Sequence, residues 1–173
     1  MKIYLACGLT HVPRNLFDDY TDFIHALAGR LTNDRGHRVK YALINSDPQL
    51  ASKPINERAR LCYFWDREMV EDADLVIAEA SFPSIGLGIE MQLAEMSGTP
   101  IIVCFRDFGV NRVKPVEYTN PDHSRHELQV GAGIVSLMAL GLPEIFKVIE
   151  YDSLPDGIIA VLDAVNLLEQ PNS

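Results

Sequence analysis

No G-x-S-x-G elbow of a serine hydrolase occurs in this chain, and no complete dinucleotide fingerprint either. Gly86-Leu87-Gly88 lacks the third glycine, and the turn after the first strand is not glycine-rich. Basic residues are few: 15 Lys and Arg stand against 24 Asp and Glu, a net charge of −9. That balance argues against nucleic-acid polymers and anionic membranes as partners, while a small anion held by local N–H groups stays open. No apolar run reaches membrane-span length, since Ala132–Leu142 is too short, and Met1-Lys2-Ile3 follows no signal peptide. The three cysteines, Cys7, Cys62 and Cys104, have no metal-type spacing and cannot all pair, so free thiols in a reducing cytoplasm are expected. His123 and His126 share a helix face on this reading, but no Cys, Asp or Glu at ligand spacing supports them, so no metal is expected. His25 and His37 read as surface residues.

What is present is strict alternation. Apolar runs at Lys2–Cys7, His37–Leu43, Asp74–Glu79, Pro100–Phe105 and Ile145–Tyr151 read as strands. Helices are expected at Leu16–Leu31, Ile55–Asp72, Gly86–Ser97, Ser124–Leu140 and Pro155–Glu169. In the first, Phe17, Tyr20, Ile24, Leu27 and Leu31 recur every three or four residues, and Ile158, Val161, Leu162, Val165 and Leu168 do so in the last. The pattern predicts a single α/β domain over 1–173: a doubly wound, five-stranded parallel sheet in the order 2-1-3-4-5, with helices on both faces. Asn45–Pro54 and Asp107–Asp122 are the long loops, and the tail Gln170–Ser173 is expected to fray.

In that topology the winding reverses between strands 1 and 3, and ligands bind at their carboxyl ends. Two turns meet there. The first is Gly8-Leu9-Thr10-His11-Val12-Pro13-Arg14, the second Ser81–Glu90. The second runs from strand into helix through Ser84, Gly86 and Gly88, a setting that suits an anion. It also places Glu90 in the helix's first turn, where the dipole favours the charged form a carboxylate nucleophile needs. From spacing alone the plainer reading of Glu90 is one more N-terminal helix acid. Asp66, beside Phe64 and Trp65, reads either as an acid at a cavity edge or as a helix N-cap. A functional Asp66 requires a helix that begins or bends near it, because an unbroken helix from Ile55 to Asp72 would carry it down the sheet. Arg106, just after the fourth strand, is an anion contact or a surface ion-pair residue.

The stretch from Asp66 to Glu90, with its Ala73-Asp74 before a strand and its Pro83-Ser84-x-Gly86-x-Gly88 turn, resembles the nucleoside 2-deoxyribosyltransferase superfamily. It is most similar to the branch of 2′-deoxynucleoside 5′-phosphate N-hydrolases. Tyr4, Cys7-Gly8, Cys104-Phe105-Arg106 and Ser136 extend the resemblance. It implies Glu90 as nucleophile on the anomeric carbon, and Asp66 as proton donor to the base or as the group positioning sugar and Glu90. It further implies Tyr4 as an active-site hydroxyl, Ser84 and the Gly86 backbone as the 5′-phosphate cradle, and Ser136 as a residue reaching a neighbouring subunit in a homodimer with shared sites. The chain departs from the branch at Leu9 and His11, where a serine and an arginine are usual; His11 is a pH-dependent substitute and Arg14 keeps an arginine nearby. The segment Val110–Ala132 is also longer.

The chemistry implied is cleavage of a base–sugar bond through a glycosyl ester, with no metal or redox cofactor. Water resolves the ester in a hydrolase acting on nucleoside 5′-monophosphates, and a second base resolves it in a deoxyribosyltransferase acting on free nucleosides. A nucleotide-binding sensor without turnover is the third reading.

Overall fold

The computed structural model describes residues 1–170; the rest of the tail expected to fray lies outside the described residues. In chain order the elements are β1 (Lys2–Cys7), α1 (Phe17–Asn33), β2 (Arg38–Lys40), α2 (Ala42–Asn45), α3 (Asp47–Leu50), α4 (Ile55–Glu71), β3 (Leu75–Glu79), α5 (Ile85–Met96), β4 (Ile101–Phe105), β5 (Glu117–Thr119), β6 (Arg125–Glu127), α6 (Leu137–Leu140), β7 (Ile145–Glu150) and α7 (Leu154–Glu169). Five strands form one sheet in the order β2-β1-β3-β4-β7, every pairing parallel. Counting only these strands, that is the expected order 2-1-3-4-5.

Alternation along the strands sorts the core into two layers. Ile3, Leu5, Leu75 and Ile77 pack with Tyr20, Phe23, Ile24 and Leu27 of α1 and Ile158, Val161 and Leu162 of α7. Tyr4, Ala6, Val76 and Ala78 face the other way, onto Met69 and Val70 of α4 and Leu87, Met91 and Ala94 of α5. Side chains on a strand alternate faces, so Tyr4 is committed to the α4/α5 side and its neighbours Ile3 and Leu5 to the α1/α7 side.

Three expectations fail. The strand over His37–Leu43 shrinks to Arg38–Lys40, because the Asn45 side chain accepts the Tyr41 N–H (2.9 Å) and turns the chain into α2. His37 is not a surface residue: it is 5% exposed, with Nδ1 3.3 Å from the N-terminal amine. No helix spans Ser124–Leu140. The antiparallel β5/β6 hairpin, an irregular stretch and the single turn α6 stand there instead. Gly131 and Gly133 explain it, adopting φ of 54° and 81°. At Gly133 a Cβ would lie 2.4 Å from the Val113 carbonyl oxygen, so the close approach of the two arms of this insertion requires glycine. His123 sits in the hairpin turn with φ 65°, and His126 on β6, so the pair shares no helix face.

Candidate active site

The two turns expected to converge do so closely. A Cβ built on Gly8 would stand 2.6 Å from Ser84 Cβ. Gly8, by its lack of a side chain, lets the turn after β1 lie against the turn after β3. Ser84 is the N-cap of α5, its Oγ accepting the Leu87 N–H at 3.1 Å.

From that cap, Glu90 lies in the second turn of α5 and not the first, so the helix dipole does not explain its state. It is 9% exposed, on the stripe with Leu87, Met91 and Ala94 that faces the sheet. Tyr4, itself 1% exposed, donates its hydroxyl to Glu90 Oε1 at 2.7 Å. Glu90 Oε2 is buried and has no hydrogen-bond partner. Burial pushes the Glu90 carboxyl up to about 8; the Tyr4 hydrogen bond opposes this and the nearby Asp66 charge adds to it. The expectation of a dipole-stabilised anion is thus reversed. At pH 7 about nine-tenths of Glu90 is protonated in the free protein.

Asp66 reaches this pair from deep inside α4, which runs unbroken from Ile55 to Glu71. Neither an N-cap nor a bend is needed, because the phase of the helix points Asp66 at the sheet edge where Tyr4 and Glu90 meet; its charge acts on both. One Asp66 oxygen accepts from Ser46 Oγ (2.8 Å) and the other from Cys62 Sγ (3.2 Å). Burial and the Asp66 bond raise the Cys62 thiol to about 12, so it stays a donor. Ser46 (1% exposed) and Cys62 were not foreseen; the only sequence signal was the length of the Asn45–Pro54 loop.

A cavity of about 340 Å³ opens beside the same helix. Its polar lining is His11, Ser84 and Ser136, with the Gly88 backbone between them; Phe82, Leu87 and Met91 supply apolar walls. Ser136 therefore lies in the cavity of its own chain, and no neighbouring subunit is needed to bring it to Ser84. Gly88 faces open space and Gly86 is exposed at the helix start. Arg14 is exposed and lies over the Phe17 ring (5.9 Å), outside the cavity lining. Arg106 lies over Phe108 (4.8 Å) with its Nε buried and unpaired. A larger groove of about 480 Å³ near α3, lined by Lys40, Lys53, Trp65 and Glu68 among others, holds none of the expected site residues.

No protein-family model matches the chain. It is 28% identical over 102 residues to a Thermofilum pendens protein named "Putative 2′-deoxynucleoside 5′-phosphate N-hydrolase 1", a match covering 59% of this chain and 66% of that one. A Syntrophotalea carbinolica protein of the same name is 34% identical over 59 residues, 34% of this chain and 42% of that one. Both likenesses are to proteins named as 2′-deoxynucleoside 5′-phosphate N-hydrolases. Both matches span just under two thirds, or less, of the relatives' own length. The fold recurs in a Clostridium botulinum CMP N-glycosidase (TM-score 0.54, 16% identity, 93% of this chain and 98% of that one). It recurs again in a conserved Enterococcus faecalis V583 protein (TM-score 0.55, 15% identity, 94% and 98%). At such identities these two structures speak for the fold alone.

Proposed function

We propose that this chain is an N-glycosidase that cleaves the base–sugar bond of 2′-deoxynucleoside 5′-monophosphates through a glycosyl ester on Glu90. One observation carries the reading: a buried carboxyl with one oxygen held by Tyr4 and the other bare, near a second carboxyl bonded at both oxygens. The bare Oε2 of ionised Glu90 attacks the anomeric carbon as the base departs with the bonding pair, and water then cleaves the ester and regenerates the carboxylate. Asp66 takes the positioning role of the two left open by the sequence, because Ser46 and Cys62 engage both of its oxygens and fix its carboxyl in place. Its negative charge faces the sugar carbon as that carbon turns cationic. Ser84, Ser136 and His11 bind the 5′-phosphate. The N-hydrolase names of the two relatives support the substrate class.

The same-chain place of Ser136 argues against its expected role in a neighbour's site. A homodimer remains part of the proposal on other grounds. Ile85 (83% exposed), Ile89 and Met96 (75%) form an exposed apolar stripe on α5 beside exposed Phe64 of α4, a face that a second copy would cover. Light scattering that returns a monomer mass would remove this part of the proposal. The three free thiols suit a reducing compartment.

The test is incubation with deoxynucleoside 5′-monophosphates, the matching nucleosides and ribonucleotides, followed by chromatography for free base. A parallel reaction with an added acceptor base separates hydrolysis from transfer. Intact-mass analysis of a rapidly quenched reaction should find the sugar phosphate on the peptide carrying Glu90. Ligand binding with no base release from any of these substrates would leave the sensor reading in its place.

A further inference from the structure

The strand that leads into the Ser84 turn ends on a second buried carboxyl that the proposed chemistry does not use. Glu79 is 0% exposed and closes β3 on the α1/α7 side, opposite Glu90. Among the described residues it has no ion-pair partner, and burial outweighs its hydrogen bonds and raises its pKa. Its acceptors are nonetheless filled by specific donors. Tyr151 Oη donates to Oε1 at 3.0 Å, Ser81 Oγ donates to the same oxygen, and the Ser81 N–H reaches Oε2 at 3.3 Å.

Ser81 is the hub of this cluster. Its Oγ also accepts the Arg106 N–H (2.8 Å), and its carbonyl accepts from Asn111 Nδ2 (2.7 Å), which bonds the Arg106 carbonyl too (2.8 Å). The end of β3 is thereby tied to the loop after β4 and to Tyr151 at the end of β7. Three residues on stands Ser84, packed so tightly against Gly8 that a shift of the turn would meet the β1 backbone. A buried carboxyl is an expensive way to end a strand, and an apolar residue would fill the space at less cost. What the carboxyl adds is directional hold on the Ala80–Ser84 turn.

We infer that Glu79, acting through Ser81 and Tyr151, is a positioning residue that fixes the Ala80–Ser84 turn so that Ser84 and the first amides of α5 meet a 5′-phosphate, and so sets the preference for nucleotides over nucleosides. This rests on the N-glycosidase reading above. The network touches neither Glu90 nor Asp66, so it governs phosphate recognition and leaves the bond-breaking step alone.

The experiment compares wild type with Ser81→Ala, Tyr151→Phe and Glu79→Gln, measuring kcat and KM for a deoxynucleoside 5′-monophosphate and for its nucleoside, together with Tm. Ser81→Ala and Tyr151→Phe each remove one hydroxyl donor with little change of shape, so the test stands if Glu79→Gln fails to fold. KM for the monophosphate should rise about fivefold or more, as expected for losing an organised bond to a charged group, while both nucleoside constants change by less than about twofold. Inorganic phosphate should inhibit these variants correspondingly less than wild type. A fall in Tm with the monophosphate-to-nucleoside KM ratio unchanged in Ser81→Ala and Tyr151→Phe would overturn the inference, leaving a structural network only. A wild-type protein that releases no base from either substrate would overturn the N-glycosidase reading, and this inference with it.

Discussion

Replacing Glu90 by Gln should make the protein more stable in alkaline solution while abolishing base release. The argument starts from the burial that raises the Glu90 carboxyl from an ordinary 4.5 to about 8. A folded-state pKa above the unfolded value means the fold favours the protonated form. Its contribution to stability is fully present below about pH 4.5 and is lost progressively as pH rises through about 8. At about 1.4 kcal/mol per tenfold in proton affinity, wild type loses on the order of 4 kcal/mol from this group between pH 5 and pH 9. Gln has the same shape, and its carbonyl oxygen can still accept from Tyr4. Its amide replaces Oε2, which has no partner, so it brings an unpaired donor costing roughly 1–2 kcal/mol at every pH.

The variant should therefore be slightly less stable than wild type at pH 5 and more stable by about 2–3 kcal/mol at pH 9. Urea unfolding of both proteins at pH 5, 7 and 9, with m-values checked for constancy, reads this directly. Glu79, the other buried carboxyl, lies on the opposite face and is common to both proteins, so its own pH dependence cancels in the difference. A stability difference that does not change with pH would refute the account, because it would mean that Glu90 is not buried as a proton-retaining acid. In wild type the same group should make kcat/KM for base release rise with pH toward a plateau, with a midpoint near 8.

Two neighbours should move the Glu90 titration in opposite directions, which carbon-detected NMR of the side-chain carboxyl can follow without turnover. Tyr4→Phe removes the hydrogen bond that favours the anion and should shift the midpoint to higher pH, whereas Asp66→Asn removes a repelling charge and should shift it lower; movement of both in one direction would contradict the geometry. Gly8→Ala forces a Cβ to 2.6 Å from Ser84 Cβ and should cost about 1–3 kcal/mol while raising KM for monophosphates; an unchanged Tm and KM would show that the two turns do not meet so closely.

The sheet was legible because buried parallel strands and amphipathic helices leave apolar runs of different length and period, and those runs are dense here. The site was legible only in part. Glu90, Ser84 and His11 follow from topology, since His11 and Ser84 lie on the turns at the reversal of winding and Glu90 on the helix that the second turn opens. Tyr4 does not, because β1 is buried on both faces and its apolar run carries no mark of which residue faces which layer. Asp66 was misjudged geometrically: a straight helix was expected to carry it away from the site, and its phase instead brings it there. The helix expected over Ser124–Leu140 would have to carry Gly131 and Gly133 at about 1 kcal/mol each, and the chain folds there as a hairpin and an irregular stretch instead. Glu79 was visible as a lone acid ending an apolar strand, yet nothing local told that Tyr151, 72 residues on, would meet it.

The energetic cost of this arrangement also explains its use. In the free protein Ser46 and Cys62 hold the Asp66 carboxyl in place, and its charge is one reason Glu90 resists ionising. Ionising Glu90 near that charge is unfavourable until a positive charge develops close by. In the proposed reaction the charge arrives only as the base–sugar bond breaks and the anomeric carbon becomes cationic. The cost of ionising Glu90 near Asp66 is then offset in the transition state and not in the substrate complex, the condition under which an interaction raises kcat instead of merely tightening binding. Burial serves the same end, since the low polarity that keeps Glu90 protonated at rest also strengthens its attraction to the cation once it has ionised. A Tyr4 hydroxyl on one oxygen is then enough to aim the carboxylate, leaving the bare Oε2 as the atom that bonds to carbon.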